Sequence, residues 1–189
     1  MKPTREDAWK LLKEYNESEA LLQHALQVEA AMRHFAKYFG EDEETWGIIG
    51  LIHDLDYEKW PDEHCKKTKE ILEENHWPED WIRAVISHGY GICTDVEPKS
   101  ILEKTLYTID ELTGIINAAC LVRPSKSVLD LKVKSLNKKF KDKKFAAGCD
   151  RDVILDGIER LGMDKNEVFQ ETIAGLQESA EEIGLKGNL

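Results

Sequence analysis

The chain has no long apolar run. None of its hydrophobic stretches approaches the roughly 20 residues that a membrane-spanning helix needs, so no such helix is expected. Nor does polar and apolar character alternate long enough to make a convincing strand. Cysteine is sparse: Cys65, Cys93, Cys120 and Cys149 are the four, and no two form a CxxC pair. That spacing excludes a zinc knuckle and does not read as a disulfide framework, so reduced, partly buried thiols are expected. Cys65 follows His64, but neighbours on a helix point about 100° apart, which argues against a thiol–imidazole nucleophile. Positive charge is also short. Lys and Arg number 26 against 37 Asp and Glu, for a net charge of −11. This balance disfavours nucleic-acid polymers and anionic membranes as partners, because both need a positive surface. The local exception is residues 126–144, which carry lysines 126, 132, 134, 138, 139, 141, 143 and 144 against Asp130 and Asp142. Such a strip could contact a phosphate-bearing small molecule, but a solvated helix face explains it better. The amino-terminal "MKPTREDAWK" is charged, without the apolar centre of a secretory signal, so the cytoplasm is the expected compartment.

What the chain does have is helical periodicity along almost all of its 189 residues. Trp9, Leu12 and Tyr15 mark a short amphipathic helix. A longer one runs from Ser18 to Phe39 and stops at Gly40. A third follows the acidic "EDEE" at 41–44, carries Trp46, Ile49 and Ile52 on one face, and ends near His53-Asp54. Further helices are expected from about Asp62, from Pro78 to Gly89, and from Pro98 to just before Arg123-Pro124. Two or three more fill 127–184. Hydrophobic residues make up 41% and charged residues 33%, enough apolar surface for one core. The expected architecture is all-α: a helical domain over 1–123, with 124–189 packed on it as a helical extension.

The polar residues with chemistry are histidines and aspartates. His24 shares the i, i+4, i+7, i+11 stripe with Val28, Ala31 and Phe35, so it projects toward the core. His34 lies roughly 80° off that stripe and reads as a surface or boundary residue. His64 shares a face with Thr68 and Ile71. His76 reads as exposed. His88 lies on the face of Trp81 and Val85, at its helix's last turn, and Asp110 borders the seam Leu102, Leu106, Ile109 and Thr113. Four histidines (24, 53, 64 and 88) and two aspartates (54 and 110) can thus face one interior. Buried carboxylates are costly unless paired or metal-bound, and imidazole with carboxylate suits zinc, iron or manganese.

In order and context, these residues resemble the HD-domain superfamily of metal-dependent phosphohydrolases. The pattern is His24, then His53-Asp54, then the distant Asp110. It sits within "LLQHALQVEAAMRHFAKYFGEDEETWGIIGLIHDLD" and, downstream, "LYTIDELTG". The resemblance covers about residues 18–117 and implies an HD-type helical bundle in which the four residues bind one divalent metal. Some members of that superfamily add two histidines and hold a second ion, with the HD aspartate bridging the pair. His64 and His88 sit where those would be. The implied cofactor is one or two divalent ions, with Mn, Fe, Zn, Co, Ni and Mg not distinguished. Many relatives continue the pair as Ile-Gly with a nearby Lys, whereas this chain reads Leu55-Asp56-Tyr57-Glu58-Lys59. Asp56, Glu58 and Lys59 are therefore candidates for the acid/base or phosphate contact.

The function implied is metal-dependent hydrolysis of a nucleotide or other small phosphoester by metal-activated water, with Asp54 and Asp110 as the catalytic carboxylates. Arg83, Lys104, Arg123 and Lys126 are unranked candidates to meet the phosphate. Two alternatives remain open at this level: an HD-type di-iron oxygenase, which shares the six-residue set, and a non-catalytic metal-binding or regulatory helical module. The expected partner is a small phosphorylated substrate, and homo-oligomerisation is left open.

Overall fold

A computed structural model describes residues 1–189. It contains nine α-helices: α1 (Arg5–Tyr15), α2 (Glu19–Phe39), α3 (Glu43–Ile52), α4 (Lys66–Glu74), α5 (Glu79–Ser87), α6 (Ile101–Leu121), α7 (Val133–Lys141), α8 (Arg151–Leu161) and α9 (Lys165–Glu178). The all-α reading holds, and the only β-type pairing is an isolated bridge between Tyr90 and Thr94. No helix is long and apolar enough to cross a membrane.

Local chemistry sets the helix ends. The side chains of Thr4, Ser18, Asp42, Ser100, Asp150 and Asp164 each accept from a main-chain N–H in the first turn that follows, satisfying a donor the helix leaves orphaned. Gly40 ends α2 at φ 72°, where a side chain would be strained. Three boundaries differ from expectation. Pro78 stands one residue before α5 rather than in its first turn. The helix expected at Pro98 starts at Ile101, because Ser100 and Glu103 form a capping box there. The helix expected from Asp62 is divided: a short 3₁₀ turn spans Pro61–Glu63 and α4 begins only at Lys66. His64 therefore lies in the break between them, not in a helix.

α2 lies at the centre, packed against α3, α6 and α9, while α8 packs on the other side of α6. One cluster of 45 buried apolar side chains runs through the molecule. It includes Val28, Phe35, Ile49 and Ile109 but also Leu136, Ile154, Phe169 and Leu176, so the segment after Pro124 shares the core of the segment before it. Each fully buried side chain of this size contributes about 1.5–3 kcal/mol of transfer free energy. The cysteines depart from expectation as well. Cys65 and Cys93 form a disulfide with Cα atoms 6.3 Å apart, while Cys120 and Cys149 are free. Their partnership is tertiary, made when the loop before α4 meets the turn after α5, so a separation of 28 residues gave no local signal.

Candidate metal centre

Two long helices, two helix ends, a turn and a break between helices deliver the six residues. His24 comes from the second turn of α2 and Asp110 from the middle of α6. His53 is the residue that closes α3, fully buried, with Nδ1 donating to the Gly50 carbonyl at 2.7 Å. His88 closes α5 in the same way, with Nδ1 donating to the Val85 carbonyl at 2.5 Å. Asp54 sits in the turn after His53, and His64 reaches in from the break before α4.

Asp110 Oδ1 lies 2.9 Å from Nε2 of both His24 and His53. Asp54 Oδ2 lies 3.4 Å from His24 Nε2 and 3.2 Å from His53 Nε2. Its other oxygen, Oδ1, lies 3.3 Å from His64 Nε2 and 3.4 Å from His88 Nε2. Two nests result. One is His24, His53, Asp54 and Asp110; the other is Asp54, His64 and His88; within each, the ligand atoms lie within 4.8 Å of one another. Asp54 belongs to both. His34 and His76 belong to neither.

His53 and His88 spend their Nδ1 protons on backbone carbonyls, so a neutral ring offers only a lone pair at Nε2. Nε2 of His64 and of His88 face each other at 3.1 Å. The carboxylates opposite are acceptors when ionised. Acceptors thus converge on acceptors, and only added protons or cations can satisfy them. The nitrogen–oxygen donor set suits a divalent ion of the zinc, iron or manganese type.

The titration behaviour of these groups follows from the same crowding. Burial disfavours the charged form of His24, but hydrogen bonds and charge from Asp110 and Asp54 outweigh it and hold the pKa up at about 9. Burial likewise opposes His53, and the charges of Asp54 and Asp110 raise it well above the ordinary value. Asp54 and Asp110 are held low: burial pushes them up, and the facing histidines, His53 foremost by charge, more than reverse it. Glu111 moves the other way, to about 7, through burial and then the negative charge of Asp110.

The nests open into a cavity of about 400 Å³. Leu21, Tyr57 and Ile92 supply its less polar wall, and Glu111 with the Gly148–Asp150 segment forms part of its rim. Asp150 N donates to Glu111 at 3.0 Å, and Arg151 braces the rim by donating to the carbonyls of Phe140, Ala146 and Asp142. No lysine or arginine lines this cavity. All four basic candidates read from the sequence are therefore displaced from it. Arg83 pairs with Glu103, Arg123 pairs with Asp130, and Lys126 donates to the Leu121 carbonyl. Lys104 is not part of the wall.

The residues after Asp54 also resolve differently from expectation. Glu58 accepts from the main-chain N–H groups of Glu17 and Ser18, just ahead of α2. Lys59 donates to the Glu14 carbonyl. Asp56 is fully buried, against His64 and Thr68. None of these three lines the cavity, whereas Tyr57 does. The sulfurs of Cys65 and Cys93 also lie close to His64, but they are joined to each other and so do not offer two thiolates. Sequence reasoning missed Glu111, Tyr57 and the rim at 148–150. The adjacency of Glu111 to Asp110 was the one local signal.

A family model described as the HD domain matches residues 21–115 and takes in all six converging residues. The chain belongs to the HD domain family. No curated protein and no solved structure matches it. HD domains bind divalent metals and are typically metal-dependent hydrolases. In this HD domain the matched segment ends inside α6, and the rim at 148–150 comes from outside it.

Proposed function

We propose that the protein is a two-ion phosphohydrolase acting on a small phosphoester. The observation that carries this reading is the division of Asp54: one carboxylate oxygen faces His24 and His53, the other faces His64 and His88. A carboxylate shared in this way suits a pair of divalent ions. His24, His53, Asp54 and Asp110 would hold one, and Asp54, His64 and His88 the other. Bound there, divalent ions supply Lewis acidity and a water whose pKa falls toward about 7.

The chain's own groups supply the rest. Asp110, with one oxygen 2.9 Å from Nε2 of both His24 and His53, brings a carboxylate to the point where those two rings converge. Asp54 and Asp110, both held ionised, bring the negative charge that draws cations in. Glu111, with a pKa near 7, can take up and release a proton at the cavity wall. Tyr57, Leu21 and Ile92 give the substrate a less polar surface. With no lysine or arginine in the wall, the site favours a substrate that presents a single phosphoryl group over one with a chain of phosphates.

The test is metal analysis of the purified protein, then phosphate release from a panel of nucleoside mono-, di- and triphosphates and simple phosphomonoesters. Two ions per chain and a preference for monoesters are expected. In Asp54→Ala, metal and activity should be lost together. Full activity in that variant, or an oxygen-sensitive optical spectrum from iron-grown protein with no phosphate release on the panel, would overturn the proposal.

A further inference from the structure

The four inward-facing histidines are not held alike. The rings of His53 and His88 are aimed by the carbonyl three residues back, which the end of a helix provides automatically. His64 has no such carbonyl, because it sits in the break between the Pro61–Glu63 turn and α4. Its Nδ1 instead meets Asp56 Oδ1 at 2.6 Å. Asp56 is fully buried, and its only ionisable partner is His64. Its other oxygen accepts from Thr68 N, in the first turn of α4, at 2.9 Å. Its own N–H donates back to Thr68 Oγ1 at 3.2 Å. No side chain caps α4 from the residue before it, so Asp56 does that work from the preceding turn.

We infer that Asp56 is a positioning residue for the second nest: it fixes His64 as the tautomer that carries its proton on Nδ1, leaving Nε2 bare toward Asp54 and His88. The inference rests on the two-ion reading. Both oxygens of Asp56 receive N–H groups, and an ionised carboxylate is the side chain that can accept on both sides at once. A ligating histidine held by a carboxylate is also a more basic ligand than one held by a carbonyl, and losing such a partner typically costs 10–100-fold in metal affinity. The first nest has no contact with Asp56, so the effect should be confined to one ion of the pair.

Asp56→Asn separates this role from a merely structural one. Asparagine has nearly the same shape but a single acceptor oxygen. The main-chain N–H of Thr68 cannot reverse its polarity, so the amide oxygen turns to Thr68 and preserves the start of α4. The amide NH₂ then faces His64 Nδ1, which must become an acceptor. The ring proton moves to Nε2 and points into the nest.

The experiment loads wild type and Asp56→Asn with manganese(II) alone, counts ions per chain, and records electron paramagnetic resonance spectra. Nitrogen NMR of the His64 ring in metal-stripped protein, at a pH high enough to leave it neutral, reads the tautomer. Wild type should hold two manganese ions with a coupled spectrum and an Nδ1–H ring. Asp56→Asn should hold one tightly, show an isolated-ion spectrum, bind the second at least tenfold more weakly, and carry an Nε2–H ring. Two tightly bound ions and an unchanged tautomer in Asp56→Asn would overturn the role of Asp56 while leaving the two-ion reading standing. A single ion in wild type would overturn the two-ion reading, and the tautomer would still decide what Asp56 does. Should Asp56→Asn fail to fold, an Nε2–H ring in metal-stripped wild type is sufficient to reject the inference.

Discussion

A histidine in this molecule is defined by what its second nitrogen meets. His34 makes the contrast with the rings of the two nests. It was expected at a surface or boundary, and it is half-buried there, but it holds two glutamates of α9: Nε2 lies 2.6 Å from Glu171 and Nδ1 2.8 Å from Glu178. His34→Ala should therefore leave metal content and activity unchanged while lowering stability by about 1 kcal/mol, read by denaturant unfolding. Loss of metal in that variant would contradict the assignment of the nests. At this scale, legibility followed helical phase. His24 and Asp110 could be aimed inward because they sit in regular helices, where position predicts direction. Asp56 and Tyr57 could not, because an irregular turn has no period. Their roles depend on Thr68 and the cavity, neither of which is a sequence neighbour.

Among the elements, the decisive contact for the cavity is that of α6 with α8. A Cβ placed on Gly157 would collide with the side chain of Thr108 and come within 3.0 Å of its Cα. Thr108 is fully buried, two residues from Asp110. Gly157→Ala must push the two helices apart, at about 1–3 kcal/mol. The expected result is a melting temperature lower by several degrees and a looser rim at 148–150, seen as faster hydrogen exchange at Asp150 N. Unchanged melting would show that the helices yield without cost. The helices themselves were readable because apolar periodicity, acidic first turns and terminal glycines all agreed. The break at 61–65 was not, since "PDEHCKK" has ordinary helical composition and α4 is held at its start by Asp56, a residue from an earlier turn. The rim was hidden for a similar reason: Asp150 and Glu111 meet across 39 residues of chain.

For the molecule as a whole, the crowded acceptors make stability depend on pH and on metal together. In metal-stripped protein His24 has a folded pKa of about 9 against 6.5 when free. Its contribution is complete below pH 6.5 and is lost as pH rises through about 9. The depressed Asp54 and Asp110 act in the opposite sense: their contribution is present above the ordinary carboxylate pKa and disappears on acidification. Stripped protein should therefore melt highest in mildly acidic buffer and lose on the order of 2 kcal/mol between pH 6.5 and 9. Metal-loaded protein should not show that alkaline loss, because its rings are already unprotonated. Calorimetry with and without a chelator checks this, and parallel curves would sink it. The global architecture was legible because one core spans both parts of the chain, so every helix had to show an apolar face.

The bare wall of the cavity has one further consequence, in the arithmetic of charge. If both nests are filled, two divalent ions meet the carboxylates of Asp54 and Asp110 and four neutral rings, and among these groups alone a surplus of two positive charges remains. That surplus equals the charge of a phosphomonoester dianion. A lysine or arginine in the wall would leave the occupied site positive and slow the departure of inorganic phosphate. Beyond the ligands the charged groups of the wall are Glu111 and Asp150, which add no positive charge, so under the proposed function binding and release are both within reach.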